Sequence, residues 1–421
     1  MLVIMKKLKY FYGYNIVASS FGIQAIGIGA LQTFGVFFKP ILTDFSWSRA
    51  TLSGAQSISL LVTGFLGIVV GRLNDKFGPR VLITLAAFLG LGYISMSRLS
   101  SIWQLYLFYS VFVGIGVSAI DIVPLSTLMR WFIRRRGMMT GIVKMGTGIG
   151  QFVMPLVANM FVIGYGWQTS YMIIGLSVIV LLISIGQPLR RDPGGMGLLP
   201  DGDEESQAVS PISPETGFYL REALRTRQFW TLCLAYLATM FCLLSVTVHI
   251  VPHITDIGLS STEAAGILSA IGGISVIGRF LTGIAIDRIG SRLTMILCFI
   301  FLISALLWLQ LATDLWMLFL FALVYAFAHG GLFTAISPVV AEYFGLRSHG
   351  NLFGIVFFSS MLGGAIGPVV AGHIYDTTDS YSLAFWTCTG VGTAALGLVL
   401  SLSKIKRDAN GILGAQDSSR V

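Results

Sequence analysis

The sequence predicts an all-α membrane protein: twelve transmembrane helices in two related six-helix halves. Three observations lead there. Of 421 residues, 55% are apolar and only 11% charged, with a mean hydropathy of +0.82; soluble domains carry roughly 25% charged residues. The apolar residues fall in continuous blocks of about 20 or more, enough to cross a bilayer. They lack the period-2 alternation of a membrane barrel, which leaves helices. The third observation is a repeat. Gly71-Arg-Leu-Asn-Asp75-Lys76-Phe-Gly78-Pro-Arg80 returns 212 residues later as Gly283-Ile-Ala-Ile-Asp287-Arg288-Ile-Gly290-Ser-Arg292, both of the form G-x-x-x-D-basic-x-G-x-R. At the same offset Trp131-Phe132 and Arg135 match Tyr343-Phe344 and Arg347, and Pro155 falls within one residue of Pro368. A self-match at fixed offset marks two copies of one unit.

Taken in order, the first half (1–188) holds spans near 14–38, 48–71, 80–98, 103–129, 137–160 and 168–188. Span 1 is too long for a signal sequence and ends in Lys39-Pro40 rather than small, cleavable residues, so it stays as a helix. Spans 2 and 8 each run into a copy of the repeated motif. The second half (228–403) holds spans near 228–252, 262–286, 291–311, 316–342, 350–372 and 381–403. Short connections make consecutive helices antiparallel neighbours. Between the halves, 189–227 carries Asp192-Pro193-Gly-Gly and Ser210-Pro-Ile-Ser-Pro214 and reads as a polar cytoplasmic linker, with a short surface helix from Arg221 to Gln228. The tail from 404 to 421 reads as polar, disordered and cytoplasmic.

The net charge of +8 would ordinarily invite nucleic acid, but its placement assigns it to topology. Of the 27 Lys and Arg, only Lys39, Arg49 and Arg98 fall on one side and Lys144 and Arg279 within spans; the other 22 share one side, including Lys6, Lys7, Lys9 and Arg407. That side is cytoplasmic by the positive-inside rule, so both termini are cytoplasmic. The lipid bilayer is the macromolecular partner this pattern implies. Cys233, Cys242, Cys298 and Cys388 sit in apolar spans without metal-ligand spacing and read as helix packing; no metal site or cofactor is expected. Gly67/Gly71, Gly146/Gly150 and Gly363/Gly367 form G-x-x-x-G pairs, suited either to static close packing or to surfaces that rock against each other. No Ser/His dyad, H-E-x-x-H or paired intramembrane aspartates appear, so the chain does not read as an enzyme. A linker and tail this short leave no room for a signalling domain.

The motif between spans 2 and 3, repeated between 8 and 9, resembles the signature of the major facilitator superfamily, which implies two six-helix halves and alternating access. Trp131-Phe-Ile-Arg134-Arg-Arg136-Gly-Met-Met-Thr-Gly141-Ile-Val-Lys-Met-Gly146-Thr-Gly-Ile-Gly150 is similar to the span-5 motif of the monocarboxylate transporter and oxalate/formate antiporter families. Gly35-Val-Phe-Phe-Lys39-Pro40, His249-Ile-Val-Pro252-His253 and Gly197-Leu-Leu-Pro200-Asp201-Gly202 resemble bacterial members, which implies a bacterial inner membrane.

Three charges lie inside spans: Asp121, Lys144 and Arg279. Each costs roughly 2.5–3.5 kcal/mol at mid-bilayer on insertion scales, which makes it a functional candidate. Asp121 precedes Arg130 by nine residues and Lys144 follows Arg136 by eight, so the two lie at matched depth and can pair. The pair is either a buried structural ion pair or a proton-sensitive gate. Arg279 has Ser275 at i−4 and no nearby acid along its helix. Either it snorkels to the membrane edge or its planar fork awaits a carboxylate. The three charges sum to +1, which one bound monoanion neutralises.

The resemblance agrees, since family members carry a substrate-binding arginine at the position of Arg279. Ser275 stands where animal members have an aspartate and Gln32 where they have a lysine, which puts the animal proton route in doubt. Span 11 lacks the cation of oxalate exchangers. Proton coupling is then expected of Asp121, His249 or His329. Substrate contacts are expected of Arg279, Lys144, Ser275, His249 and Gln32. A latch between the halves is expected of Asp75, Arg80, Asp287, Arg292 and Arg135. Gln24, Gln56 and Gln151 read as cavity-lining or interhelical hydrogen-bonders, and Phe327, Phe333, Phe357 and Phe358 as core or lipid-facing. The whole reads as a secondary transporter of lactate- or pyruvate-like monocarboxylates, proton-coupled and functional as a monomer. The alternative is an exchanger of oxalate, formate or small dicarboxylates.

Overall fold

The computed structural model describes residues 11–202 and 217–403. Lys6, Lys7, Lys9, linker residues 203–216 and the 404–421 tail, expected to be disordered, lie outside the described residues. Among the described residues, eleven helices are long and apolar enough to cross a membrane. The longest, Arg136–Gly186, breaks at Gly166 (φ 77°, ψ 164°), giving twelve spans. They are α1 Gly13–Phe45, α2 Arg49–Phe77, α3 Pro79–Met96, α4 Ile102–Trp131, α5 136–165 and α6 167–186 in the first half. In the second half they are α7 Arg227–Asp256, α8 Ser261–Ile289, α9 Ser291–Leu309, α10 Leu315–Phe344, α11 His349–Thr378 and α12 Ser382–Leu400.

The repeat is visible down to the caps. Ser48 accepts from the Thr51 amide at the start of α2 (3.1 Å), and Ser260, 212 residues on, accepts from Glu263 at the start of α8 (3.3 Å). A cap of this kind satisfies one of the free amides of a first helical turn. The second glycine of each motif adopts positive φ, 80° at Gly78 and 83° at Gly290, so the chain turns at once from α2 into α3 and from α8 into α9. Two sequence boundaries move. Pro40 does not end α1, because near a membrane edge the single backbone bond it removes is cheaply replaced, and the helix runs on to Phe45. The short helix expected at 221–228 is one turn, Leu220–Ala223, before Thr226 caps α7.

Within the halves α1 packs along α5 and α7 along α11, while α3 lies on α6 and α9 on α12. Across the halves α2 runs against α11 and α5 against α8. Apolar side chains cover the outside, Ile163 reaching 79% exposure, as a lipid-facing surface requires. Both described ends of the linker are fastened. Asp201 accepts from the amides of Ile133 (2.9 Å) and Arg134 (3.0 Å) in the α4–α5 loop. Phe218 donates to the Phe344 carbonyl (2.9 Å) at the equivalent point of the second half.

Candidate functional site

Each residue of the repeated motif has a separate task. Its first glycine lets the halves cross closely: a Cβ at Gly71 would meet the Gly350 carbonyl, and one at Gly283 the Gly137 carbonyl. One turn later, the aspartate caps the helix it crosses. Asp75 accepts from the amides of Gly350 (3.3 Å) and Asn351 (3.2 Å), and Asp287 from those of Gly137 (2.6 Å) and Met138 (2.8 Å). A carboxylate at a helix N-terminus meets both free amides and the positive dipole end. Arg130 braces Asp75 at 2.9 Å, while Arg135, at the start of α5, adds its charge beside Asp287.

The motif arginines, expected in the latch, instead stay within their own halves. Arg80 donates to the Gln187 carbonyl at the end of α6 (2.9 Å). Arg292 donates to the Leu400 carbonyl at the end of α12 (2.6 Å). The unpaired carbonyls and negative dipole of a helix C-terminus attract them.

Further from the motif loops lies a polar network at the junction of α1, α4 and α5. Lys144 and Asp121 form a buried ion pair. Gln24 Nε2 donates to Asp121 Oδ1 (3.0 Å) and to the Ile120 carbonyl (2.9 Å). That carbonyl would normally receive the amide of residue 124, which is proline, so Pro124 frees the acceptor that Gln24 takes. Gln24 Oε1 accepts from Thr147 (2.6 Å) and Lys144 (3.4 Å), which satisfies the buried amide completely.

Arg279 is 1% exposed and donates through Nη1 to the Lys144 backbone carbonyl at 3.1 Å, tying α8 to α5. No carboxylate among the described residues lies within ion-pair distance of it, and its Nε, fully buried, has no partner. Two glycines make its slot: Gly330 of α10 lies against its stem and Gly148 of α5 against its fork. A Cβ on Gly148 would lie 2.6 Å from Nη1 and 2.5 Å from Val276. Gly148→Ala is therefore expected to cost about 1–3 kcal/mol through overpacking. The solubilised variant should melt lower than the wild type, and an unchanged midpoint would mean α5 and α8 do not approach this closely.

A cavity of about 360 Å³, counting its open mouth, lies between the halves. The first half supplies its polar end, Asp121 and Lys144; α7 supplies Tyr236 and Met240. Leu332, Phe333 and Ile336 of α10 form one apolar wall, and Phe353, Phe357 and Met361 of α11 the other. Phe333 and Phe357 thus face the cavity, contrary to their reading as core or lipid-facing. Aromatic residues at lipid, core and cavity positions share one composition, and only the packing of α10 against α11 separates them.

The structure does not bring the other candidates here. Arg279 lies behind Lys144 rather than on the cavity wall, because a guanidinium without an acid finds a backbone carbonyl instead. Ser275 donates to the Gly272 carbonyl of its own helix (2.7 Å) and faces α10 at Gly330. His249 bonds the Pro368 carbonyl (2.9 Å) and the Tyr381 hydroxyl (3.3 Å), and Gln32 is exposed. His329 sits in an aromatic ladder between Tyr325 and Phe333, with Nδ1 buried and unpartnered. Gln56 is exposed and Gln151 partly so. The sequence reading omitted Thr147 and the Met240 and Met361 walls, although Thr147 follows Lys144 by one helical turn.

The sequence profile described as Major Facilitator Superfamily matches residues 20–284 and 250–417. Monocarboxylate transporter 12 of Rattus norvegicus is 26% identical over 423 residues, covering 94% of this chain and 86% of its own length. Among solved structures, the human organic anion transporter MFSD10 superposes with a TM-score of 0.72 at 15% identity, over 92% of this chain and 99% of its own. The transporter FucP in its outward conformation superposes with a TM-score of 0.68 at 12% identity, over 91% and 97%.

Proposed function

Because the chain belongs to the major facilitator superfamily and is an integral membrane transporter of that fold, we propose that it carries small monocarboxylates, each with one proton, by alternating access. The observation that carries this reading is the Asp121–Lys144 pair at the polar end of the cavity between the halves. The monocarboxylate transporter named above supports the cargo class.

Lys144 is the cation a carboxylate in this cavity would meet. While Asp121 is ionised it holds Lys144 and repels an anion. A proton on Asp121 releases the ammonium to the cargo, with Gln24 and Thr147 keeping the side chains in place. Empty, the three intramembrane charges sum to +1; carrying one proton and one monoanion, the site has the same charge. Reorientation then meets the same electrostatic barrier in both directions. Arg279 adds positive potential behind Lys144 and holds α5 and α8 together in this state.

The side bearing the motif loops, rich in Arg72, Lys76, Arg134 and Arg191, is the cytoplasmic one by charge, in a bacterial inner membrane by the bacterial-type motifs. Asp75 and Asp287 then latch the cytoplasmic side closed. An exchanger of oxalate, formate or dicarboxylates would need a second cation on the cavity wall. Arg279, the remaining intramembrane cation among the described residues, is spent on the Lys144 carbonyl.

Labelled lactate uptake into proteoliposomes tests this reading: an inward proton gradient should drive uptake into vesicles that contain no anion. Uptake that ignores the gradient and requires internal anion would replace symport with exchange. Arg279→Lys should lower uptake about tenfold or more, since a charged hydrogen bond is worth about 1.5–3 kcal/mol and an ammonium cannot reproduce the fork. Unchanged uptake would remove Arg279 from the mechanism.

A further inference from the structure

From the distribution of polar groups around the cavity we infer that the preferred cargo is a monocarboxylate with a bulky apolar body, branched or aromatic, rather than one as small as lactate. This rests on the monocarboxylate reading above and adds the part of the molecule away from the carboxylate. The cavity is polar at one end only, at Asp121 and Lys144. Opposite stand Met240, Leu332, Ile336 and Phe357, which offer no donor or acceptor to cargo. Tyr236 is no exception, for its hydroxyl turns away onto Met295 Sδ at 3.8 Å and the residue is 1% exposed.

A carboxylate seated on Lys144 therefore points its remainder at hydrocarbon. A second carboxylate or a run of hydroxyls there would lose water and gain no partner, a cost that rejects polar cargo strongly. An apolar body gains about fourfold in affinity for each methylene buried. Lactate and pyruvate set a single methyl group against walls built by Met240, Leu332, Phe333, Ile336, Phe357 and Met361. Met240 and Met361 on two sides are flexible and polarisable, suited to fitting a ring or a branched chain without a fixed shape.

The test compares labelled pyruvate, 4-methyl-2-oxopentanoate, phenylpyruvate and oxalate for uptake into proteoliposomes at one inward proton gradient, with Lys144→Gln vesicles as the leak control. The 2-oxo acids are ionised near neutral pH and do not cross lipid readily unaided. The two larger monocarboxylates should show KM values about tenfold or more below that of pyruvate, and oxalate should not enter. Phe333→Ser should narrow the ratio between phenylpyruvate and pyruvate. If pyruvate enters with the lowest KM, the preference for a bulky body is wrong while monocarboxylate transport stands. If oxalate alone enters, both fail. The wild-type ranking decides the matter even where the variant does not fold.

Discussion

Lys144→Gln is expected to lower monocarboxylate uptake at least about a hundredfold, because it removes the one cation that the described residues place on the cavity wall and strands Asp121. Breaking a buried pair from one side costs about 3–5 kcal/mol, as the remaining charge has no compensation. The variant should therefore also lose thermal stability. Adding Asp121→Asn should restore most of that stability, since the neutral pair can still hydrogen-bond with Gln24, while uptake stays lost. Equal or greater destabilisation in the double variant would mean that the two residues do not act as a pair. Asp121→Asn alone should separate binding from coupling: the anion still meets Lys144, but the response to an inward proton gradient disappears.

The second large effect is expected at the seam between the halves. Gly71 crosses α11 where a Cβ would collide with the Gly350 carbonyl, an atom that cannot move without moving the helix. Gly71→Val should disfavour the state closed on the motif side by about 1–3 kcal/mol or more, a population shift of roughly 5- to 150-fold. Uptake would fall with it, since a carrier that cannot close on one side cannot complete a cycle. Nitroxide labels at Phe77 and Ser348 would report the change as a longer separation than in the otherwise unaltered protein. If the short separation persists in Gly71→Val, this contact does not hold the halves together. Asp75→Asn should move the equilibrium the same way, because it weakens the cap on α11 and leaves Arg130 without its carboxylate.

Much of this was legible in the sequence. The 212-residue offset placed the motif loops at equivalent points of two halves, and depth counted from Arg130 and Arg136 put Asp121 level with Lys144, where the fold pairs them. Less legible was the direction of a long side chain. Arg80 and Arg292 share a motif with Asp75 and Asp287, yet the aspartates reach across the halves and the arginines reach back to α6 and α12. Nothing local distinguishes the two outcomes; they depend on which helix terminus lies within reach. Arg279 illustrates the same limit. The absence of an acid along its helix was readable, but the Lys144 carbonyl that takes the guanidinium belongs to the backbone of the other half and leaves no mark in composition. The cavity walls were hidden for a third reason: in a membrane protein the residues that face lipid, core and an apolar cargo are drawn from one set.

In this scheme the anion and the proton bind together, one to each member of the same pair of side chains. Isothermal titration of the purified carrier with a monocarboxylate, in buffers of different ionisation enthalpy, measures this directly. Binding at Lys144 with protonation of Asp121 should take up one proton per anion, so the heat should vary with the buffer and affinity should fall as the pH rises. Heat independent of buffer, together with affinity unchanged from acid to neutral pH, would contradict it.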